Sequence, residues 1–355
     1  MGQFVLKNDN DKLKDYDEEY IEYFRKINDN SYNNFLGYAL IVFYSLSNIL
    51  TLIYRNKFNV IIAYNLDDLK IMLKIENTHK EQIEMFSNFL DKPNKRDLFL
   101  SISRDILRVW NVLDFNCILA LKNENYYKYY GKFGYAGASC FTLENNQIYI
   151  CQAYKCFQRG EFPIKVLDFN GKIIKEFDKY KSSSDIPCYL DTFYDTKYSK
   201  IYIISGGIDK IKSYDFEDNK LYHIYVDTTN ERYSEFHNLV VKKYGEKIKL
   251  IGYDCFSILI WDFHLGDLLD KIEWENSLFY GMCLINDYYL VMGGFKLEVF
   301  DLKSKKSIQE IEDHNQYIIL VKMINHPNYG KMLFTQGRTN DIPKRSPIEA
   351  WRVKI

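Results

Sequence analysis

Short runs of alternating apolar and polar residues recur along almost the whole chain, and Gly, Asp and Asn stand between them. Residues 247–270 show the pattern most clearly, as KIKLIGYDCFSILIWDFHLGDLLD. Alternation with a period of two puts every second side chain on the same face of a strand, so each run predicts a β-strand. The turn-forming residues between the runs predict short hairpins. The chain is therefore predicted to be an all-β protein built from repeated units.

A pair of residues recurs near the end of one strand in each unit: an apolar, mostly aromatic side chain, usually followed by Asp or Asn. The copies lie about 39 to 57 residues apart and are Tyr64-Asn65, Trp110-Asn111, Leu167-Asp168, Tyr214-Asp215, Trp261-Asp262, Phe300-Asp301 and Trp351-Arg352. These pairs and their spacing resemble the WD40 repeat family over nearly the whole chain. The resemblance implies a seven-bladed WD40-like β-propeller, a single domain over residues 1–355. The positions that match the family's signature are Trp110, Tyr214, Asp215, Trp261, Asp262, Phe300, Asp301 and Trp351.

The two ends of the chain are predicted to meet in the last blade. Only residues 352–355 follow Trp351, so the last blade lacks an outer strand, whereas residues 3–7 form an extended run without a blade. In WD40 propellers an N-terminal strand commonly completes the last blade and protects its edge. The resemblance therefore implies that residues 3–7 are the closing strand and that residues 35–355 form blades one to seven.

A charged insert, residues 8–34, separates the predicted closing strand from the first blade. Its apolar residues recur at helical spacing, at Tyr16, Tyr20, Ile21, Phe24 and Ile27. This spacing favours a short amphipathic helix lying on the propeller. The high density of charged residues equally fits a solvated loop, which is the alternative.

Residues 31–54 contain no charged side chain, and residues 36–54 are long enough to cross a membrane as a helix. The polar run Ser45-Leu46-Ser47-Asn48 divides this stretch, which favours two buried strands joined by a turn over a membrane span. No membrane span is therefore expected. The innermost strands of the seven blades are predicted at residues 38–44, 83–90, 136–143, 189–194, 237–243, 278–285 and 318–324.

The chain departs from the family at the residues that join strands through side-chain hydrogen bonds. The Gly-His pair of WD40 repeats has counterparts only at Thr78-His79 and Asp313-His314. A turn Asp before the Trp-bearing strand is found at Asp105, Asp209 and Asp254, at varying distances from the aromatic residue. These departures predict a divergent propeller with incomplete hydrogen-bond networks.

Composition and charge narrow the possible partners and the compartment. The 31 Tyr and 24 Phe suit pleated strands, and a formal net charge of −1 provides no general basic field for nucleic acid. The seven Cys are scattered, and charged residues from Lys7 onward leave no secretory signal at the start. A cytoplasmic protein with free thiols is therefore expected, without nucleic acid as a partner.

No motif for catalysis, a cofactor or a metal is found in the sequence. Phosphate-binding loops, zinc-protease helices, serine nucleophile elbows and calcium loops are all missing. Cys151 and Cys156 have no second pair at zinc-binding spacing, and the six His are dispersed, with only His237 on a predicted inner strand. The sequence therefore predicts a non-catalytic protein without a cofactor. An enzyme is the remaining alternative and would require a polar cluster at one end of the channel.

The resemblance implies a scaffold or adaptor that binds other proteins. Tyr126, Tyr127, Tyr129 and Tyr130 are candidate partner-binding residues, because Tyr supplies large amphipathic contacts at interfaces; the alternative is that these rings are buried in the sheet. Phe157-Gln158-Arg159-Gly160 resembles the Phe-Arg-Arg-Gly motif of phosphoinositide-binding propellers, with Gln158 in place of one arginine. Arg159 is therefore a candidate contact for the alternative function, binding to phosphoinositides at a membrane surface.

Overall fold

The chain forms a ring of small β-sheets. The computed structural model describes residues 20–27, 40–55, 59–68, 70–123, 133–143, 147–156, 163–179, 187, 189–227, 236, 238–254, 256–273, 281–312, 316–339 and 345–354. These residues contain 28 strands and no helix. The strands make seven antiparallel sheets of four strands each, so the protein is the seven-bladed β-propeller that the sequence predicts.

The blades follow one another along the chain. Blade one comprises β2 (Leu40–Tyr44), β3 (Ile49–Arg55), β4 (Ile61–Asn65) and β5 (Lys70–Ile75). Blade two comprises β6 (Ile83–Asp91), β7 (Arg96–Ser103), β8 (Ile106–Asn111) and β9 (Cys117–Lys122). Blade three comprises β10 (Phe133–Thr142), β11 (Ile148–Cys156), β12 (Pro163–Asp168) and β13 (Ile173–Lys179). Blade four comprises β14 (Tyr189–Asp195), β15 (Lys200–Gly206), β16 (Lys210–Asp215) and β17 (Lys220–Val226).

The remaining three blades repeat the order. Blade five comprises β18 (Asn238–Tyr244), β19 (Lys247–Tyr253), β20 (Ser257–Asp262) and β21 (Leu268–Glu273). Blade six comprises β22 (Gly281–Leu284), β23 (Tyr289–Gly293), β24 (Lys296–Asp301) and β25 (Lys306–Glu312). Blade seven comprises β26 (Gln316–His326), β27 (Gly330–Thr339), β28 (Arg345–Val353) and β1 (Ile21–Ile27). The first strand of each blade lies innermost, and all seven overlap the inner strands predicted from the sequence.

An N-terminal strand completes the last blade, as predicted, but it is a different segment from the one expected. β1 pairs antiparallel with β28, from Ile21 opposite Val353 to Ile27 opposite Ile348. Residues 3–7, assigned to this position from the sequence, lie outside the described residues. The helix predicted within residues 8–34 is wrong for 21–27. A β-bulge between Tyr23 and Arg25 interrupts the alternation of side chains along this strand. Because of this interruption, the apolar residues of the strand have a spacing that resembles that of a helix.

The uncharged stretch of residues 36–54 contributes a hairpin of blade one. β2 and β3 pair antiparallel from Leu40 opposite Ile53 to Tyr44 opposite Ile49. The turn between them ends at Asn48, whose positive φ of 51° is a conformation that Asn tolerates better than most residues. Within the described part of the chain, no helix is long and apolar enough to cross a membrane.

The apolar residues of the seven repeat pairs all lie on the third strand of a blade and are buried. Most of them pack against the preceding blade: Tyr64 on blade seven, Trp110 on blade one, Tyr214 on blade three, Trp261 on blade four, Phe300 on blade five and Trp351 on blade six. The core is therefore divided into layers between neighbouring blades, and in six of the seven repeats an aromatic residue fills part of such a layer.

In six of the seven pairs the Asp or Asn shapes the turn that follows the third strand. Asp262 Oδ1 accepts hydrogen bonds from the backbone N–H groups of His264 and Leu265, both at 3.0 Å. Asp215 and Asp301 cap their turns in the same way, with the N–H groups of Asp218 at 2.9 Å and Lys303 at 2.8 Å. A short side chain with a carboxylate or amide oxygen can bond to its own backbone two or three residues further on, which explains why Asp or Asn recurs here.

Blade two contains a hydrogen-bond network that joins two of its strands, β7 and β8, to the incoming chain. The ring nitrogens of His79 lie 2.7 Å from the hydroxyls of Ser103 and Ser101, and Trp110 Nε1 donates to Ser101 Oγ at 2.7 Å. Ser103 donates in turn to Asp105 at 2.6 Å. The indole groups of two other blades have different partners: Trp351 Nε1 of blade seven donates to Thr335, and Trp261 Nε1 of blade five donates to the Val226 carbonyl. His314, the second predicted counterpart of the family's Gly-His pair, lies outside the described residues.

The network predicts a pH-dependent contribution to stability. Burial, followed by the charge of Arg108, lowers the pKa of His79 to about 4. Below its unfolded pKa of about 6.5 the imidazole takes up a proton in the unfolded chain but not in the folded one, so stability falls as the pH falls from 6.5 towards 4. Between pH 6 and 5 the free energy of unfolding should drop by about 1 kcal/mol more in the wild type than in His79→Asn, in denaturant titrations. Equal pH profiles would contradict a neutral, buried His79.

Candidate interaction surface

Exposed apolar side chains collect at one end of the ring. The turns between first and second strands and between third and fourth strands all lie at this end, which we call the turn face. Large exposed hydrophobic residues sit in several of these turns, namely Leu46, Leu113, Tyr198, Leu265, Tyr288 and Tyr329. Tyr198 and Leu265 differ from the others because polar contacts between blades four and five connect their two turns.

The turn between β14 and β15 presents Tyr198 to solvent. Asp195, at the end of β14, is buried, and its Oδ1 accepts the backbone N–H of Lys197 at 2.8 Å. Ser199 closes the turn with a positive φ of 53°. The side chain of Tyr198 remains 53% exposed, with the ammonium group of Lys197 5.2 Å from its ring centre. A buried carboxylate therefore holds the backbone that carries an exposed aromatic ring.

His264, in the turn between β20 and β21, connects blade five to the Tyr198 turn. Its Nε2 lies 3.0 Å from Asp195 Oδ2, and its Nδ1 lies 3.0 Å from the hydroxyl of Tyr222. The Tyr198 ring meets the imidazole edge-on, with 5.3 Å between ring centres. His264 is thus connected to blade four by the hydrogen bond with Tyr222 and by a close approach to Asp195 that lacks hydrogen-bond geometry, and these contacts link the two turns.

Leu265 follows His264 at the tip of the same turn and is 67% exposed. Asp262 caps the turn, and Gly266 continues it with φ of +77°. A Cβ at Gly266 would lie 3.2 Å from Nδ1 of His223, so glycine serves both the backbone conformation and the close approach of blade four. The turn therefore has little freedom to move Leu265.

Aromatic rings support this surface from below. Tyr202 packs against Tyr222 at 4.7 Å and against Phe263 at 5.1 Å between ring centres. Burial raises the pKa of both Tyr202 and Tyr222 above the usual value for tyrosine, so their hydroxyls stay protonated at neutral pH. We call Tyr198, Tyr222, His264 and Leu265 the turn-face patch.

The junction of blades seven and one repeats part of this arrangement. His326, at the end of β26, lies 3.0 Å from Asp67 of blade one, and the Tyr329 ring lies 4.7 Å from its imidazole. His326 Nδ1 also accepts the backbone N–H of Asn328 at 3.1 Å. Tyr, His and Asp thus join two neighbouring blades at two places on the turn face, but only the turn-face patch adds an exposed leucine beside the histidine.

The partner-binding residues predicted from the sequence lie outside the part of the chain that the structure describes. Tyr126, Tyr127, Tyr129 and Tyr130 fall between β9 and β10, Arg159 falls between β11 and β12, and all five lie outside the described residues. Sequence reasoning missed Tyr198 and Leu265 because each stands alone in a short turn. The sequence feature that could have identified them is an apolar residue at the tip of a turn, such as Leu265 within residues 262–266.

The described residues show little that could support chemistry. Among them, no group of three or more His, Cys, Asp or Glu side chains is placed to hold a metal ion. Cys151 is a buried free thiol, and burial raises its pKa, as it does for Cys140 and Cys283, whose pKa values rise to about 12. High pKa values keep these thiols protonated, which makes them poor nucleophiles. His237 lies outside the described residues.

Comparisons with known proteins identify the fold. No protein-family model and no curated protein matches the chain. Among solved structures, it is similar to the crystal structure of Chaetomium thermophilum Raptor, with 13% identity and a TM-score of 0.64. The similarity covers 95% of this chain and 29% of that chain, so the chain spans less than a third of that protein's length. Because 1290 solved chains match, the likeness shows a widely shared fold and no particular function.

Proposed function

We propose that this chain is a divergent WD40-like propeller that acts as a non-catalytic protein-interaction platform in the cytoplasm, with other proteins as its partners. The observation that carries the proposal is the turn-face patch, where Tyr198 and Leu265 are 53% and 67% exposed on turns held by a network between two blades. Exposed aromatic and aliphatic side chains on a rigid backbone are the usual anchors of protein interfaces.

Rigidity is what makes these exposed residues suitable for binding. A partner that docks on a mobile loop must offset the entropy of ordering it, whereas the His264 contacts have already ordered both turns. The patch is also bordered by charged residues: Lys220 pairs with Asp218 at 3.1 Å, and Lys200 pairs with Asp218 at 3.0 Å. An apolar centre within a charged rim is the common anatomy of a protein interface.

The double variant Tyr198→Ser, Leu265→Ser tests the proposal. Both side chains are exposed, so the fold should tolerate the change, while partners that dock on the patch should be lost. In quantitative affinity purification of the tagged full chain after crosslinking in cells, recovery of the principal co-purifying proteins should fall by about tenfold or more relative to the wild type.

A matched control is the double variant Leu113→Ser, Tyr288→Ser, which removes residues 80% and 61% exposed in turns of blades two and six on the same face. It should recover partners as the wild type does. Equal recovery by all three proteins would show that the patch is not the interface. The absence of any reproducible partner of the wild type would overturn the platform function itself.

A further inference from the structure

The outermost strand of each blade has one backbone edge without a neighbouring strand in its sheet. Proteins normally protect such edges with charged side chains, which discourage another strand from pairing there. Five of the seven outermost strands carry two or more charged residues along their length: β1, β5, β13, β21 and β25. β9 and β17 carry one each, Lys122 and Lys220, and in both cases at an end of the strand.

β9 and β17 differ in how their apolar side chains are covered. In β9, Ile118, Leu119 and Leu121 pack into the layer between blades two and three, and a Cβ on Gly171 of blade three would come within 2.6 Å of Leu121. In β17, Leu221, Ile224 and Val226 are 43%, 45% and 39% exposed. β17 is thus an outermost strand without a central lysine, arginine or carboxylate, and its apolar residues remain substantially exposed.

The other side of β17 is held firmly. Tyr225 is buried, donates to the Phe263 carbonyl at 2.7 Å and lies 3.1 Å from the Ser213 hydroxyl. His223 Nε2 bonds with the carbonyl of His264. These contacts attach β17 to blade five, so the open edge is held in place before any partner arrives.

The exposed apolar residues of β17 face blade three. Leu221 pairs across the sheet with Tyr214, whose ring packs against Phe177 of blade three at 5.6 Å. Ile224 and Val226 pair with Lys212 and Lys210 in the same way, so cross-strand neighbours share this side. Lys175 of β13 approaches from blade three and lies 4.2 Å from the ring centre of Phe216.

This side of the sheet is cationic as well as apolar. Three described lysines, Lys175, Lys210 and Lys212, lie on the sides of β13 and β16 that face β17 or blade three, whereas Glu176 of β13 pairs with Lys165 at 3.9 Å. An added strand would therefore bring its apolar side chains beside Leu221, Ile224 and Val226. Carboxylates on the same strand would be attracted by the lysine charges.

We propose that β17 binds an extended, acidic segment of a partner protein, which adds to blade four as a fifth strand. Backbone hydrogen bonds along the open edge supply affinity, and the apolar and cationic side chains select β-branched residues flanked by Asp or Glu. This site is separate from the turn-face patch, which uses the opposite side of the same strand, and neither depends on the other.

Fluorescence anisotropy with the full chain tests this proposal directly. The probe is a labelled synthetic peptide, acetyl-Asp-Glu-Val-Thr-Ile-Thr-Val-Glu-Asp, compared with the same peptide carrying Lys at the four acidic positions and with a form N-methylated at alternate residues. We expect saturable binding of the acidic peptide, and binding weaker by about tenfold or more for each of the other two.

The variant Ile224→Glu should weaken binding of the acidic peptide by about tenfold or more, because it removes an apolar contact and places a negative charge, which repels the peptide's carboxylates, in the centre of the edge. Its matched control is Ile71→Glu, at a residue 44% exposed on the outermost strand of blade one, and this variant should bind the peptide as the wild type does. Thermal melting of both variants checks that each is folded.

Three results would overturn the proposal: no saturable binding, equal binding of the N-methylated peptide, or wild-type affinity of folded Ile224→Glu. The Tyr198→Ser, Leu265→Ser protein should bind the peptide normally. Failure of the peptide experiment therefore leaves the turn-face patch untouched, and loss of partners from the patch leaves the β17 site untouched.

Discussion

Trp261→Ala should lower the free energy of unfolding by about 3–5 kcal/mol, a large part of the stability of a domain. Trp261 is fully buried in the layer between blades four and five. Its ring meets Tyr225 at 6.1 Å and Phe236 at 5.9 Å between centres, and its Nε1 donates to the Val226 carbonyl at 3.3 Å. The substitution removes these contacts and leaves a cavity that two rigid sheets cannot close.

Equilibrium denaturant titration measures the effect, and two further variants calibrate it. Trp261→Phe keeps most of the ring and should cost clearly less than the alanine variant, because the remaining cavity is smaller. Leu113→Ala, on a turn-face residue that is 80% exposed, should change stability by no more than about 0.5 kcal/mol. A near-neutral Trp261→Ala would contradict the packing of this ring between blades.

Gln309→Ala should lower the free energy of unfolding by about 3 kcal/mol, because three hydrogen bonds, two of them buried, depend on one side chain. Gln309 lies on β25 of blade six, and its Oε1 accepts the backbone N–H groups of Tyr20 and Ile21 at 2.9 and 3.0 Å. Its Nε2 donates to the Ile21 carbonyl at 3.0 Å. The alanine variant leaves these backbone groups without their partner where β1 enters the last blade.

Hydrogen exchange distinguishes ring closure from a general loss of stability. In Gln309→Ala the amide protons of Tyr20 and Ile21 should exchange faster than those of other strands, since β1 can detach locally. Lys306→Ala, an exposed residue on the same strand, is the control and should leave both stability and exchange close to the wild type. Unchanged protection at Tyr20 and Ile21 would show that Gln309 does not hold the closing strand.

These two residues explain why the ring can present a fixed surface. Trp261 fills the layer below the junction that carries His264 and Leu265, and Gln309 keeps the seventh blade complete. In a closed ring every blade packs against two neighbours, so movement of the blades at one junction is resisted by the packing at the other junctions. The geometry of the turn-face patch therefore depends on packing far from the exposed residues themselves.

The alternation of residues along the chain determined the class of the fold and the place of most strands. The third strand of blade five, Ser257–Asp262, is buried along its whole length and was recognisable because apolar and turn residues are local signals. The Asp that ends it caps its own turn through neighbours two and three residues away. Features that depend on short separations in the chain could be predicted, including the hairpin within residues 36–54.

Only the tertiary structure decided which segment closes the ring and where exposed residues meet. β1 is held by Gln309, 288 residues away from Ile21, and a bulge hides its strand character, so local spacing suggested a helix. The turn-face patch joins Asp195 and Tyr222 of blade four to His264 of blade five, and β17 is exposed because of how blade three lies beside it. Such contacts arise from the packing of blades that are distant in sequence, and alternation along one strand carries no information about its neighbours.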